Sequence, residues 1–112
     1  INPLGTIFMI PNGIILESEH LRTVQEMIVR EAVLIARLQG LEIVEKEMIA
    51  HVQDVCQRTS ANRCSMLQDI ENKRVTEIDS INGYIIQRAR EQSMDVPCNM
   101  MVYSFVKYME KR

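Results

Sequence analysis

The feature that most constrains this sequence is a helical repeat of apolar residues that runs without a proline from about Glu17 to Gln39. Leu21, Val24, Ile28, Ile35 and Leu38 recur there at three- and four-residue steps. That spacing puts the side chains on one face of a 3.6-residue helix. Ser18 stands where an N-cap oxygen accepts a free amide, and Gly40 suits the left-handed turn beyond the last residue. A second repeat, from about Glu45 to Thr59, sets Met48, Ile49, Val52, Val55 and Cys56 on one face. Glu45 and Glu47 fall in its first turn, where the helix dipole favours them.

The remaining segments follow the same period. Pro11-Asn12-Gly13 reads as a turn. Ser65-Met66-Leu67-Gln68 reads as a capping box opening a short helix over 66–72. Thr76-Glu77-Ile78-Asp79 is a second cap-like start, and Ile78, Ile81, Ile85 and Ala89 form the stripe of a helix to about Gln92. Pro97 is pre-set for the first position of a last helix, along which Met101, Phe105 and Met109 align. Lys111 and Arg112 suit its C-terminal end, and Glu26 with Arg30 forms an i,i+4 pair. No strand alternation and no internal repeat occurs. The predicted fold is an all-α bundle of five or six helices in one domain over 1–112.

Composition agrees. The chain has 112 residues, 46% apolar and 25% charged, enough to bury roughly two-thirds of its unfolded surface. A net charge of −2 gives no field for nucleic-acid binding. No apolar run is long enough to span a membrane. The first residues carry no basic stretch of the signal-peptide kind, and a start at Ile1 suggests that a segment upstream is missing. The three cysteines, Cys56, Cys64 and Cys98, form no C-x-x-C pair, and His20 and His51 stand apart, so no metal site is expected. They read as reduced thiols in a cytoplasmic protein. The eight methionines read as packing between helices, with a Met-lined groove as the alternative.

The residues taken singly carry little chemistry. Gly5, Gly13, Gly40 and Gly83 form neither a dinucleotide fingerprint nor a P-loop, and no nucleophile elbow is present. From Asn62 to Gly83, however, the polar residues Asn62, Ser65, Gln68, Asp69, Thr76, Glu77, Asp79 and Asn82 gather at helix starts. They either cap those helices or, with the free amides there, receive an anion. Gly83, read as mid-helix, points to close packing or to a ligand's approach.

Asn62-Arg63-Cys64-Ser65-Met66-Leu67-Gln68-Asp69-Ile70, followed by Thr76-Glu77-Ile78-Asp79-Ser80-Ile81-Asn82-Gly83, resembles the paired signature of the ketopantoate reductases (2-dehydropantoate 2-reductases). The family pattern is N-x-x-S-M-L-Q-D, a short basic loop, then T-E-I-D-x-x-N-G. Ile1-Asn2-Pro3-Leu4 and Pro11-Asn12-Gly13 fit the same family, and Val96-Pro97-Cys98-Asn99 resembles its V-P-x-N. The resemblance implies an all-α C-terminal domain of the 6-phosphogluconate dehydrogenase type. In the whole enzyme it would pack on an N-terminal Rossmann domain, which this chain lacks. The implied reaction is NADPH-dependent reduction of 2-dehydropantoate to (R)-pantoate, on the route to pantothenate and coenzyme A.

Carried over by position, the resemblance implies that Asn2, Asn12 and Ser65 bind the substrate, Ser65 through its carboxylate. Glu77 would lie near the nicotinamide end of the cofactor, and Asn62 would line the same cleft. It implies no catalytic residue in this chain, because the family's proton-donating lysine lies ahead of the position of Ile1, as does a further substrate asparagine. Lys46, Lys73, Lys107 and Lys111 stand elsewhere, and Gly5 and Ile14 replace a commoner Thr and Glu. The fragment alone is therefore expected to be inactive. Implied partners are the 2-keto acid, the Rossmann domain and, in a homodimer, a second copy. Two alternatives stand beside this: a domain of a related 2-keto acid reductase, or an autonomous helical interaction or oligomerisation module.

Overall fold

The computed structural model describes residues 1–111. Seven α-helices follow one another: α1 Asn2–Phe8, α2 Asn12–Glu17, α3 Glu19–Leu38, α4 Glu45–Arg58, α5 Ser65–Glu71, α6 Asn82–Glu91 and α7 Pro97–Glu110. A 3₁₀ turn, Ile78–Ser80, precedes α6. No strand occurs among the described residues, so the all-α class holds.

The long helices lie where periodicity puts them, and their ends show why. Ser18 Oγ accepts the Leu21 amide at 3.2 Å, capping α3. At its far end Gly40 takes φ +89°. The Gly40 and Leu41 amides reach back to the Arg37 and Ala36 carbonyls, a Schellman closure. Lys73 and Ser93 occupy the same left-handed position after α5 and α6, and Met9 takes it one residue earlier, directly after α1, with φ of 55–57°. Those three carry a Cβ where glycine is the unstrained choice.

Four local expectations are corrected. First, residues 1–17 are not merely a turn and its approach but form α1 and α2. Pro11 sits at the N-cap of α2, where the missing amide costs nothing. Second, Ser65 is not an N-cap. Cys64 holds that place, and Gln68 reaches back to the Arg63 carbonyl at 2.9 Å instead of closing a capping box. Third, the helix expected over 78–92 breaks at Ile81 (φ −103°, ψ −89°), so Gly83 lies in the first turn of α6. A Cβ there would meet the Tyr103 ring at 3.2 Å, which favours close packing as its reason. Fourth, α7 buries Asn99, Val102 and Val106, while Met101 and Phe105 are about half exposed. The inward stripe contains an asparagine, so counting apolar residues selected the neighbouring face.

Helix α7 runs through the core. Val106 packs with Cys64, Met66, Leu67 and Ile78. Val102 packs with Leu4 and Ile15. Met100 and Tyr103 cover Ile35, Ile86, Ala89 and Val96. Its N-terminus is held by Glu31 of α3, whose carboxylate accepts the Cys98 and Asn99 amides at 2.9 Å each. The Asn99 side-chain amide donates to the same carboxylate at 2.8 Å and to the Ile28 carbonyl at 3.1 Å. Its Oδ1 accepts Asn82 Nδ2 at 2.8 Å. One buried asparagine thereby ties α3, α6 and α7 together.

Two stability outcomes follow. Asn99→Ala leaves Asn82 without an acceptor and Glu31 with one donor fewer, and should lower the unfolding free energy by about 2–4 kcal/mol in urea titrations. Ser93→Gly relieves the left-handed Cβ and should raise it by about 0.5–1 kcal/mol.

Candidate functional site

The site is built where the α4–α5 connection grips the start of α2. The Asn12 amide donates to the Asn62 carbonyl and the Gly13 amide to the Ser60 carbonyl, each at 3.0 Å. These bonds satisfy donors that a helix start leaves free. The approach is so close that a Cβ on Gly13 would lie 2.6 Å from the Ser60 Cβ. Glycine is required here by backbone contact rather than by φ. Within the connection, the Asn62 amide donates to the Thr59 carbonyl at 2.9 Å.

A pocket of about 480 Å³ opens above this junction, lined by Asn2, Asn12, Ala61, Asn62, Arg63, Cys64, Ser65 and Gln68. Four of the five site residues named from the sequence, Asn2, Asn12, Asn62 and Ser65, therefore meet in one place. Asn2 opens α1, Asn12 opens α2, and Ser65 opens α5. Helix α5 has only seven residues, so its dipole adds little, and the hydroxyl and amides act as local donors. Arg63, a lining residue not singled out from the sequence, pairs with Glu71. Beneath the pocket the buried Cys64 thiol contacts the Thr6 hydroxyl and the Asn2 carbonyl, each at 3.6 Å. The lining carries amides, a hydroxyl, the Cys64 thiol and one paired guanidinium, but no Lys, His, Asp or Glu. Such a wall can bind and orient a polar anion.

A larger cleft of about 510 Å³ adjoins through Asn2 and is mainly apolar, with Ile28, Val33, Met48, Val52 and Ile85 among its walls. Polar groups converge in the smaller pocket, so the chemistry is assigned there.

Glu77 stands apart from the pocket lining, exposed at the start of the 3₁₀ turn. Its neighbours are pinned to α7. Thr76 donates to the Glu110 carboxylate through its amide (2.9 Å) and its hydroxyl (2.8 Å). Asp79 accepts the Tyr103 hydroxyl at 2.7 Å and Lys107 Nζ at 3.0 Å. The Tyr103 hydrogen bond, then that of Lys107, holds the Asp79 carboxyl below its ordinary 3.8. The same bond to Asp79 raises the Tyr103 phenol above 10.0. Glu77 is thus presented from a turn anchored on both sides.

Residues 1–110 match the family described as Ketopantoate reductase PanE/ApbA C terminal. The chain belongs to the ketopantoate reductase family. It is 36% identical to the 2-dehydropantoate 2-reductase of Pyrococcus horikoshii, over 98% of this chain and 36% of that protein. Among solved structures, a probable 2-dehydropantoate 2-reductase from Bacillus subtilis superposes with a TM-score of 0.88 at 33% identity, covering 97% of this chain and 36% of the other. A D-mandelate dehydrogenase holding NADH and anilino(oxo)acetate superposes with a TM-score of 0.93 at 27% identity, covering 98% and 61%. The chain spans about a third of the length of the first two. The fold described above is therefore that of the family's C-terminal domain.

The anchored turn has a pH signature. Asp79 has a depressed folded value, so its contribution to stability is present above its unfolded value near pH 4 and is lost as pH falls through the folded one. Comparing wild type with Asp79→Asn by denaturant midpoint, the difference should be constant near neutrality and shrink below about pH 4.

Proposed function

We propose that this chain is the substrate-binding C-terminal part of an NADPH-dependent 2-dehydropantoate 2-reductase working in the cytoplasm. The observation that supports this most is the meeting of Asn2, Asn12, Asn62 and Ser65, from three helix starts and a connection, in one polar pocket of a chain from this family. The Ser65 hydroxyl, with the amides of its turn, takes the substrate carboxylate. Asn2 and Asn12 orient the rest of the molecule, and Asn62 closes the wall. Holding the keto carbon in a fixed attitude is what makes a transfer to it effectively intramolecular. The pocket is lined by no Lys, His, Asp or Glu, and by the family resemblance the alkoxide proton would come from a lysine ahead of the position of Ile1.

NADPH, when bound, supplies the hydride. This chain has no glycine-rich phosphate cradle, so most of the cofactor would be held elsewhere in the protein. Glu77 fits the remaining role: an exposed carboxylate on a turn pinned to α7 can meet the nicotinamide end without moving.

A second reading keeps the reaction and changes the substrate to another 2-keto acid. It is favoured by the 0.93 TM-score likeness to the D-mandelate dehydrogenase.

The test is steady-state NADPH oxidation by the full-length protein that carries this chain, with 2-dehydropantoate and a panel of 2-keto acids. Ser65→Ala should raise KM about 10–100-fold with a smaller change in kcat. The 112-residue chain alone should oxidise none. Absence of oxidation by the full-length protein with every keto acid would overturn the reading.

A further inference from the structure

We infer that Glu110, the last residue of α7, is a positioning residue for the cofactor: through Thr76 it fixes the main chain on which Glu77 stands. The inference deepens the function proposed above and rests on its assignment of Glu77 to the nicotinamide end.

Glu77 is exposed but lies between two buried residues, Thr76 and Ile78. One hydroxyl spans it. Thr76 Oγ1 accepts the Ile78 amide at 3.2 Å, which closes a side-chain turn around Glu77. The Ser80 amide donates to the Glu77 carbonyl at 2.9 Å. The backbone of Glu77 is therefore bracketed on both sides, at φ −88° and ψ 13°.

The direction of the Thr76 hydroxyl is set by Glu110. An ionised carboxylate only accepts, so each of its bonds to Thr76 has a single possible sense. The Thr76 amide donates at 2.9 Å and the hydroxyl at 2.8 Å, both to Oε2. The one hydroxyl proton is thereby committed, and a lone pair is left for the Ile78 amide. Glu110 Oε1 takes Lys107 Nζ at 3.1 Å, and its side chain is only 8% exposed. Lys107 in turn bonds Asp79 at 3.0 Å, on the far side of Glu77. The carboxylate is itself held, so it acts as a fixed post on α7.

Without Glu110 both Thr76 donors lose their acceptor and the hydroxyl is free to rotate. The order of the turn would then have to be supplied when the cofactor binds. Ordering one residue's backbone costs enough to weaken binding about 5–30-fold. The keto acid should not feel the change, because Thr76, Glu77 and Glu110 do not line the pocket of Asn2, Asn12 and Ser65.

The experiment titrates NADPH into the full-length protein that carries this chain, followed by nicotinamide fluorescence, and measures KM for NADPH and for 2-dehydropantoate. Glu110→Ala should weaken NADPH binding about 5–30-fold and raise its KM in step, with KM for the keto acid and kcat unchanged. Thr76→Val should act in the same direction, and Thr76→Ser, which keeps the hydroxyl, should bind as wild type does. In a Glu77→Ala background, Glu110→Ala should weaken binding no further. Unchanged NADPH affinity in Glu110→Ala, equal losses on both substrates, or additive effects in the double variant would overturn the inference and leave Glu110 a structural residue. If Glu110→Ala does not fold, the contrast between Thr76→Val and Thr76→Ser decides the matter by the same readouts. A wild type that binds no NADPH, or a Glu77→Ala variant that binds it normally, would instead overturn the assignment of Glu77 and the inference with it.

Discussion

The carboxylate of Glu31 is the contact on which the arrangement of the longer helices depends. It sits at the N-terminus of α7, where two backbone amides and the Asn99 side chain converge on it. Helix starts leave free amides and carry the positive end of the dipole, so a carboxylate there is favourable even when supplied by another helix. Through Asn99 and Asn82 the same bonds continue into α6. Once α7 is seated, Val102 and Val106 have fixed neighbours, and the apolar clusters that contain Leu4, Ile15, Leu67 and Ile78 form around them.

The candidate site inherits its geometry from that seating. Helix α1 packs beside α5 and α7, with Ile7 covering the clusters around Val106 and Val102. The α4–α5 connection then reaches back to the start of α2 through two backbone bonds. Neither the pocket nor the anchored turn of Glu77 is made by one element. Each lies where helix starts from distant parts of the chain are brought together, so the pocket's polar groups come from short side chains on rigid backbone.

The existence of the longer helices was legible from periodicity, but not every inward residue: α3 buries Gln25, while Val24 and Leu38 of its apolar repeat stand partly exposed. Periodicity misplaced the inward face where polar residues carried packing. Asn99 is only 1% exposed and belongs to the inward face of α7, but its partner Glu31 is 68 residues away. Nothing local marks that pair. The break at Ile81 had the same origin: Asp79 and Thr76 bond outward to α7 instead of continuing a helix. The first seventeen residues looked irregular because Pro11-Asn12-Gly13 is a turn signal in isolation. Bonds to Ser60 and Asn62, supplied from beyond α4, allow a helix to begin there.

The site shows the same division. Asn2, Asn12, Asn62, Ser65 and Glu77 were named through motif resemblance, whereas Thr59, whose hydroxyl bonds the Asn12 side chain, lies outside every motif. By itself the sequence determined the class of fold, the longer helices, the left-handed glycine after α3, and the family, because these depend on residue types at short, regular spacings. The meeting of four polar side chains in one pocket and the polar inward face of α7 were decided only by the tertiary structure. Each depends on a hydrogen-bond partner remote in the chain, and a partner's direction cannot be written in local spacing.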